Sequence, residues 1–266
     1  MIIYLNDKYI SDEIYATVVP MFDGGIFETM RVYNHKIFKL SEHISRLFMS
    51  AKFLSIHIPY AYDTIKDICL QVLEKSRLTH GVVRISISLQ QDILVIVREL
   101  PVYPEMLYQQ GVKIITTSIV RQPCLPQVKS SNFLTGIIAK AEICKDNNSP
   151  FEILFLNHQG YVTECTVSNI FIIKDDTVIT PPAYLGLLKG ITRDVVLNIA
   201  NNVGLHTKQI PFTRYDVFTA DEIFITNSVI EILPVCNVDS RDIGKTKGIG
   251  RITTKLLELY RANAYA

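Results

Sequence analysis

The chain predicts a mixed α/β (α+β) protein of two domains. Three observations lead there. Short strand-like runs alternate with helical periodicities along the whole length, their arrangement changes after a proline-broken stretch near residue 121, and 266 residues is about where a single core tends to split. The expected first domain is a small α/β unit over residues 1–118, followed by an interdomain linker at 119–128 and a second domain over 129–266. The linker rests on "RQPCLPQ", residues 121–127, which carries two prolines and no periodicity.

In the first half, residues 2–5, 26–33 and 36–38 read as strands, the second introduced by Gly24-Gly25 and followed by the turn Asn34-His35. Ser41 is the expected N-cap of a helix on which Ile44, Leu47, Phe48, Ala51 and Leu54 share one face. Arg46 lies off that face and reads as a solvated side chain unless an anion binds it. A helix over about 62–77 leads into "GVVRISIS", where Val83, Ile85 and Ile87 alternate with Arg84, Ser86 and Ser88 as in a half-buried strand. After Gln90-Gln91-Asp92, "ILVIV" completes a hairpin. In the second half, strands near 152–156, 168–173, 206–210, 222–226 and 231–237 are interleaved with helices near 132–146, 191–203 and 249–262.

With 27 Lys plus Arg against 26 Asp plus Glu, the net charge is +1 and no basic run stands out. Nucleic acid and anionic membrane are therefore not indicated, and a small molecule is the expected partner. Cys69, Cys124, Cys144, Cys165 and Cys236 show no CxxC spacing and suit reduced thiols of a cytoplasmic protein. The N-terminus lacks the basic-then-apolar pattern of a signal peptide, and no apolar window is long enough to span a bilayer, so the expectation is a soluble, cytoplasmic chain with the sequon Asn147-Asn148-Ser149 unmodified. Gly244-Lys245-Thr246 is not a phosphate loop, because Asp239 stands where the earlier glycine is required. His35, His43, His57, His80, His158 and His206 have no metal-ligand spacing and read as surface or turn residues.

Three segments carry chemistry. Gly190-Ile191-Thr192-Arg193-Asp194 begins a helix whose free N–H groups, Thr192 hydroxyl and positive dipole end suit an anion, although a plain capped helix has the same pattern. Glu164, between half-apolar segments, needs a partner such as a protonated ring nitrogen, because an unpaired buried carboxylate costs several kcal/mol. Lys129, in "VKSSNFL" ahead of a helical run, could be a solvated charge or an amine that loses its proton in a dry pocket. Together a lysine, a carboxylate and a phosphate site are what pyridoxal 5'-phosphate requires.

The order of these segments resembles the fold-type IV pyridoxal phosphate enzymes, the class IV aminotransferase family of branched-chain aminotransferases, D-amino acid aminotransferases and aminodeoxychorismate lyases. "DGGIFETMRVYNHKIFKLSEHISRL", "VKSSNFLTGIIAKAEI", "GYVTECTVSNIFIIKDDTVITPP", "LLKGITRDVV" and "ADEIFITNSVIEILPV" follow the family's order after the opening "IYLNDKYI", over nearly the whole chain. The resemblance implies a two-domain, D-amino acid aminotransferase-like fold and a homodimer. It makes Lys129 the Schiff-base lysine and Glu164 the partner of the pyridine nitrogen. Arg46, Ile191, Thr192 and Ser228 become the phosphate cradle, with Asn227 among the cofactor-binding residues.

Within the family, Asn227-Ser228 and "VTEC" are similar to aminodeoxychorismate lyases, so the expected activity is that lyase, which releases 4-aminobenzoate and pyruvate toward folate precursors and leaves the cofactor as pyridoxal phosphate, with the aminotransferase as the alternative. An amino-acid aminotransferase of the branched-chain or D-amino acid type would use the same Lys129 and Glu164 and leave pyridoxamine phosphate. A non-catalytic pyridoxal phosphate-binding homologue is the third reading. Three departures bear on the choice: the reduced lead-in "YATVVPMFDGG", the short turn at Gln90-Gln91-Asp92, and Phe133 where many aminotransferases carry tyrosine.

Overall fold

The structure, a computed structural model, describes residues 1–121, 127–143, 149–244 and 249–266. The core of the expected linker, Cys124, Cys144, Asn147 and Asn148 of the sequon, and Lys245-Thr246 lie outside the described residues. Two compact units are present: residues 1–102 with 128–133 and 265, and residues 103–127 with 134–264 and 266.

The first unit is built from β1 (Ile2–Leu5), β2 (Lys8–Tyr9), α1 (Asp12–Val18), β3 (Ile26–Tyr33), β4 (Lys36–Ile37), α2 (Leu40–Phe53), α3 (Tyr62–Ser76), β5 (Gly81–Ile87) and β6 (Ile93–Arg98). Its sheet runs β2-β1-β6-β5-β3-β4 with every pair antiparallel. Alternate residues of a strand face opposite sides, so Ile26, Met30, Val32, Val83, Ile85, Ile87, Val95 and Val97 share one face. That face packs on Ile44, Leu47 and Ala51 of α2 and on Ile65, Ile68 and Val72 of α3. The other face is covered as well. Leu94 and Ile96 bury there with Ile3 and Phe22, and Ser86 and Ser88 are buried rather than solvated. The alternation in "GVVRISIS" thus marks two covered faces, not one.

Helix α2 begins at Leu40 and not after Ser41: Lys39 takes the N-cap position in the left-handed region at φ +58°. Its ammonium pairs with Glu42 at 2.9 Å in the first turn, where a carboxylate also suits the helix dipole.

The second unit contains α4 (Glu105–Gln110), β7 (Val112–Val120), α5 (Leu134–Ile143), β8 (Glu152–Leu156), β9 (Val162–Cys165), β10 (Asn169–Lys174), β11 (Thr177–Thr180), α6 (Ile191–Asn202), β12 (Thr207–Gln209), α7 (Arg214–Phe218), β13 (Glu222–Asn227), β14 (Glu231–Val238), β15 (Arg241–Asp242) and α8 (Arg251–Tyr265). Position 118, the expected end of the first domain, falls inside β7. That strand is parallel to both β14 and β8, so it belongs to the second sheet, β12-β11-β10-β13-β14-β7-β8-β9, with β15 on β14. Phe171 and Phe224 stack in its core with centroids 4.8 Å apart.

Residues 128–133 return to the first unit's sheet. Phe27 N–H donates to the Lys129 carbonyl at 3.0 Å and Ser131 N–H to the Gly25 carbonyl at 2.7 Å, with a bridge between Ile26 and Ser130. Glycine is required at 25 for a different neighbour, since a Cβ there would lie 2.2 Å from the Ile87 carbonyl oxygen of β5.

One polar side chain interrupts the apolar face of β3. Glu28 is fully buried. It accepts from Arg46 Nε and Nη2, both at 2.7 Å, and from His43 Nδ1 at 2.7 Å. Burial pushes its carboxyl up, but the Arg46 charge and hydrogen bonds, then His43, outweigh this and bring it down to about 2. A folded-state value depressed below the usual 4.5 contributes stability above pH 4.5 that is lost as pH falls toward 2. Replacing Glu28 with glutamine is therefore expected to lower stability at pH 7 by roughly 3 kcal/mol and to flatten the acid limb of stability between those limits. Urea unfolding midpoints across pH check both; an unchanged acid limb would remove Glu28 as its cause.

Candidate active site

In the first unit the functional side chains gather around the ring of Phe27. Lys129 Nζ lies 4.6 Å from the ring centroid and the Arg84 guanidinium 3.9 Å, with Phe133 tilted against the same ring at 5.5 Å. Lys129 is placed there by the backbone pairing of its segment with the start of β3. Arg84 reaches it from β5, because Arg84 stands opposite Thr29 in the sheet and Phe27 opposite Ser86, all on one face. Burial lowers the Arg84 pKa, and among the described residues no carboxylate pairs with it. A desolvated guanidinium of this kind favours an anionic ligand.

Arg46 and His43 differ from their sequence readings. Both are buried, His43 at 2 % and Arg46 at 9 % exposure. The physical reason is Glu28: a carboxylate inside the unit draws the guanidinium and the imidazole inward from neighbouring positions on the inner side of α2. Burial pushes His43 below its usual range against the pull of Glu28, with Arg46 and Lys129 adding to the depression. The imidazole is thus neutral at pH 7 and donates from Nδ1.

In the second unit Glu164, at the end of β9, is nearly buried and held on both oxygens. Arg121 Nη2 donates to Oε1 at 2.5 Å. Leu188 N–H and Asn169 Nδ2 donate to Oε2 at 3.1 and 3.4 Å. The partner that burial demands is thus supplied by the chain itself, through Arg121, whose guanidinium also lies over Phe155. The arrangement keeps Glu164 an acceptor.

Helix α6 begins at Ile191 with Gly190 as N-cap and no side-chain cap, and Thr192 is buried in its first turn. Gly190 is required, as a Cβ would lie 2.0 Å from Asn169 Oδ1. Thr226, the cross-strand neighbour of Asn169, buries its hydroxyl with no hydrogen-bond partner. Next along the chain, Asn227 turns its side chain inward. Nδ2 donates to Ser168 Oγ at 3.0 Å, and Oδ1 accepts from the N–H groups of Val229 and Ile230 at 2.8 and 3.0 Å. Asn227 therefore organises the turn that presents Ser228.

Sequence reasoning missed Glu28, Arg84, Arg121, Asn169 and Thr226. Only Glu28 left a readable signal, as the one charge in the apolar register Ile26, Met30, Val32. No group of acidic, histidine and cysteine side chains among the described residues could hold a metal ion, and no helix there is long and apolar enough to cross a membrane.

The residues suit pyridoxal phosphate: an uncapped helix start with a buried hydroxyl on the neighbouring strand that has no partner among the described residues for a phosphate, a donor-held carboxylate for a pyridinium, and a lysine beside an aromatic face. The chain matches the family described as Amino-transferase class IV over residues 25–238. It is 36 % identical to a Methanocaldococcus jannaschii protein with the provisional name branched-chain-amino-acid aminotransferase, covering 98 % of this chain and 96 % of the relative. It is 33 % identical to the D-alanine aminotransferase of Listeria monocytogenes, covering 90 % and 86 %. The T.th. branched-chain amino acid aminotransferase, solved with pyridoxamine 5'-phosphate, superposes with a TM-score of 0.89 at 26 % identity over 99 % of this chain and 94 % of that one. The chain is thus a fold-type IV, pyridoxal phosphate-dependent enzyme and belongs to the class IV aminotransferase family.

Proposed function

We propose that the protein is an amino-acid aminotransferase that moves an amino group from an amino acid to a 2-oxo acid. The observation that carries this reading is the placement of Arg84 and Lys129 on the same phenylalanine ring. An amino acid and its 2-oxo acid carry a carboxylate one carbon from the reacting centre. A guanidinium without a carboxylate of its own, near the reactive lysine, meets that need. The aromatic faces of Phe27 and Phe133 suit an apolar side chain. The names of the relatives favour the same reaction.

Bound pyridoxal phosphate supplies an aldehyde carbon and an electron-withdrawing ring. The chain's own groups do the rest. Lys129 would be the amine that holds the cofactor and, when free, the base that takes a proton from the substrate's α-carbon. Glu164, which accepts from Arg121 and the Leu188 N–H, would be the acceptor facing the pyridine nitrogen. In the second unit the α6 N-terminus with Thr192, together with Ser228, would take the phosphate, whereas Arg46, which the family resemblance adds to that cradle, is engaged by Glu28 in the first unit. By family analogy the working form is a homodimer.

The lyase reading rested on Asn227-Ser228 and on the cysteine after Glu164. Asn227 is occupied by its own turn and Cys165 is fully buried, so neither residue selects between the two reactions. Incubation with a panel of amino donors should form pyridoxamine phosphate and a 2-oxo acid; release of 4-aminobenzoate from aminodeoxychorismate without half-transamination of any donor would reverse the assignment.

Lys129→Ala is expected to lose at least about a thousandfold in transamination rate and to release its cofactor on dialysis. Arg84→Gln is expected to raise KM for both the amino donor and the 2-oxo acid by about 10- to 100-fold with a smaller change in kcat, matching loss of a charge-assisted contact. An unchanged KM for both substrates would exclude Arg84 from carboxylate binding.

A further inference from the structure

A second buried carboxylate lies close to Glu164 and has no part in the chemistry above. Glu152, the first residue of β8, is 6 % exposed. Its Oε2 accepts from Val167 N–H at 3.0 Å, and its Oε1 accepts from the Ser168 hydroxyl. Both donors belong to the loop between Glu164 and β10. Burial pushes Glu152 up to about 7, against these two hydrogen bonds and with the Glu164 charge adding to the rise. Cys165 and Arg121 complete the titratable surroundings.

The hydrogen bonds leaving Glu152 form a directed relay. Backbone N–H groups can only donate, so Val229 and Ile230 require Asn227 Oδ1 to face them. That orientation points Nδ2 at Ser168 Oγ, which must accept there. The single hydroxyl proton of Ser168 is then left for Glu152. At the far side the same turn is gripped by the Tyr108 hydroxyl on the Ile230 carbonyl at 3.1 Å and by Arg261 Nε on Glu231 at 2.8 Å. Glu231 itself sits at φ +61°, a strained backbone that needs such bracing.

We propose that Glu152 is a positioning residue for the turn Asn227–Ile230, acting through Ser168 and Asn227 to aim the phosphate-binding groups at Ser228. This inference rests on the reading of Ser228 as a phosphate ligand. A carboxylate serves where an amide does not. Glutamine at 152 must offer an N–H to either Val167 N–H or Ser168 Oγ. The first choice opposes two donors, and the second makes Ser168 accept twice and takes from its own proton the Glu152 acceptor.

The test measures dissociation constants of pyridoxal 5'-phosphate and of unphosphorylated pyridoxal for the full chain, by equilibrium dialysis, in Glu152→Gln, Ser168→Ala, Asn227→Ala, Ser228→Ala and the Glu152→Gln/Ser168→Ala double variant. Each single variant is expected to weaken binding of the phosphorylated cofactor by about tenfold while moving pyridoxal binding less than about twofold, and the double to be no weaker than its weaker single parent. Equal losses for the two cofactors, an unchanged affinity in Glu152→Gln, or additive losses in the double would overturn the proposal. Should Glu152→Gln fail to fold, the Ser168 and Asn227 variants decide by the same criterion. Ser228→Ala separates the two readings: unchanged phosphate-dependent binding there rejects Ser228 as ligand, whereas its loss together with normal Glu152→Gln binding rejects only the relay.

Discussion

A carboxylate removed from water must be met by donors, and this fold meets that constraint at Glu28, Glu152 and Glu164. Each solution fixes something next to it. Glu28 draws Arg46 and His43 off the surface of α2 and ties that helix to β3. Glu164 is held by Arg121 and by the Leu188 N–H, shortly before the start of α6. Glu152 arranges the loop that follows Glu164. The acids are expensive to bury, and each orders the side chains or backbone beside it.

Lysine chemistry needs the opposite surroundings. Lys129 shares the Phe27 ring with Arg84, whereas Arg46 of the same unit is met by Glu28. A desolvated guanidinium beside an aromatic face, with no carboxylate partner among the described residues, favours an anionic ligand next to the lysine.

Much of this was readable from the chain. Strands 2–5 and 26–33, the hairpin around Gln90-Gln91, and the helices starting near 62 and 191 follow from period and punctuation, the helices because each buries one regular face and the strands because apolar runs end at turn residues. The short strands β9 and β11 and the strand β7 lacked such a signal: β7 mixes Thr116, Thr117 and Ser118 into its run, and its partners lie far away in sequence. The chemistry-bearing residues were legible where a local pattern marked them, as with Gly190 at a helix start. Arg84 and Arg121 were not, since a lone arginine on a strand or beside a proline-rich stretch looks the same whether it faces solvent or a carboxylate. His43 and Arg46 were misjudged for a related reason: their burial is dictated by Glu28, which lies on another element.

The backbone pairing of residues 128–133 with the start of β3 has a consequence for how the chain can be divided. The segment carrying Lys129 is sewn into the sheet of the first unit although more than twenty residues of the second unit precede it. Cutting the chain between residues 102 and 103 would therefore separate a sheet from the edge pairing that places the lysine. A circular permutant or split protein that respected contacts instead of sequence would have to carry 128–133 with the N-terminal piece. Gly25 stands at that joint: its carbonyl accepts from Ser131 N–H, while its missing Cβ clears the Ile87 carbonyl, so a substitution there disturbs the contact with β5 at the strand end on which the lysine segment pairs.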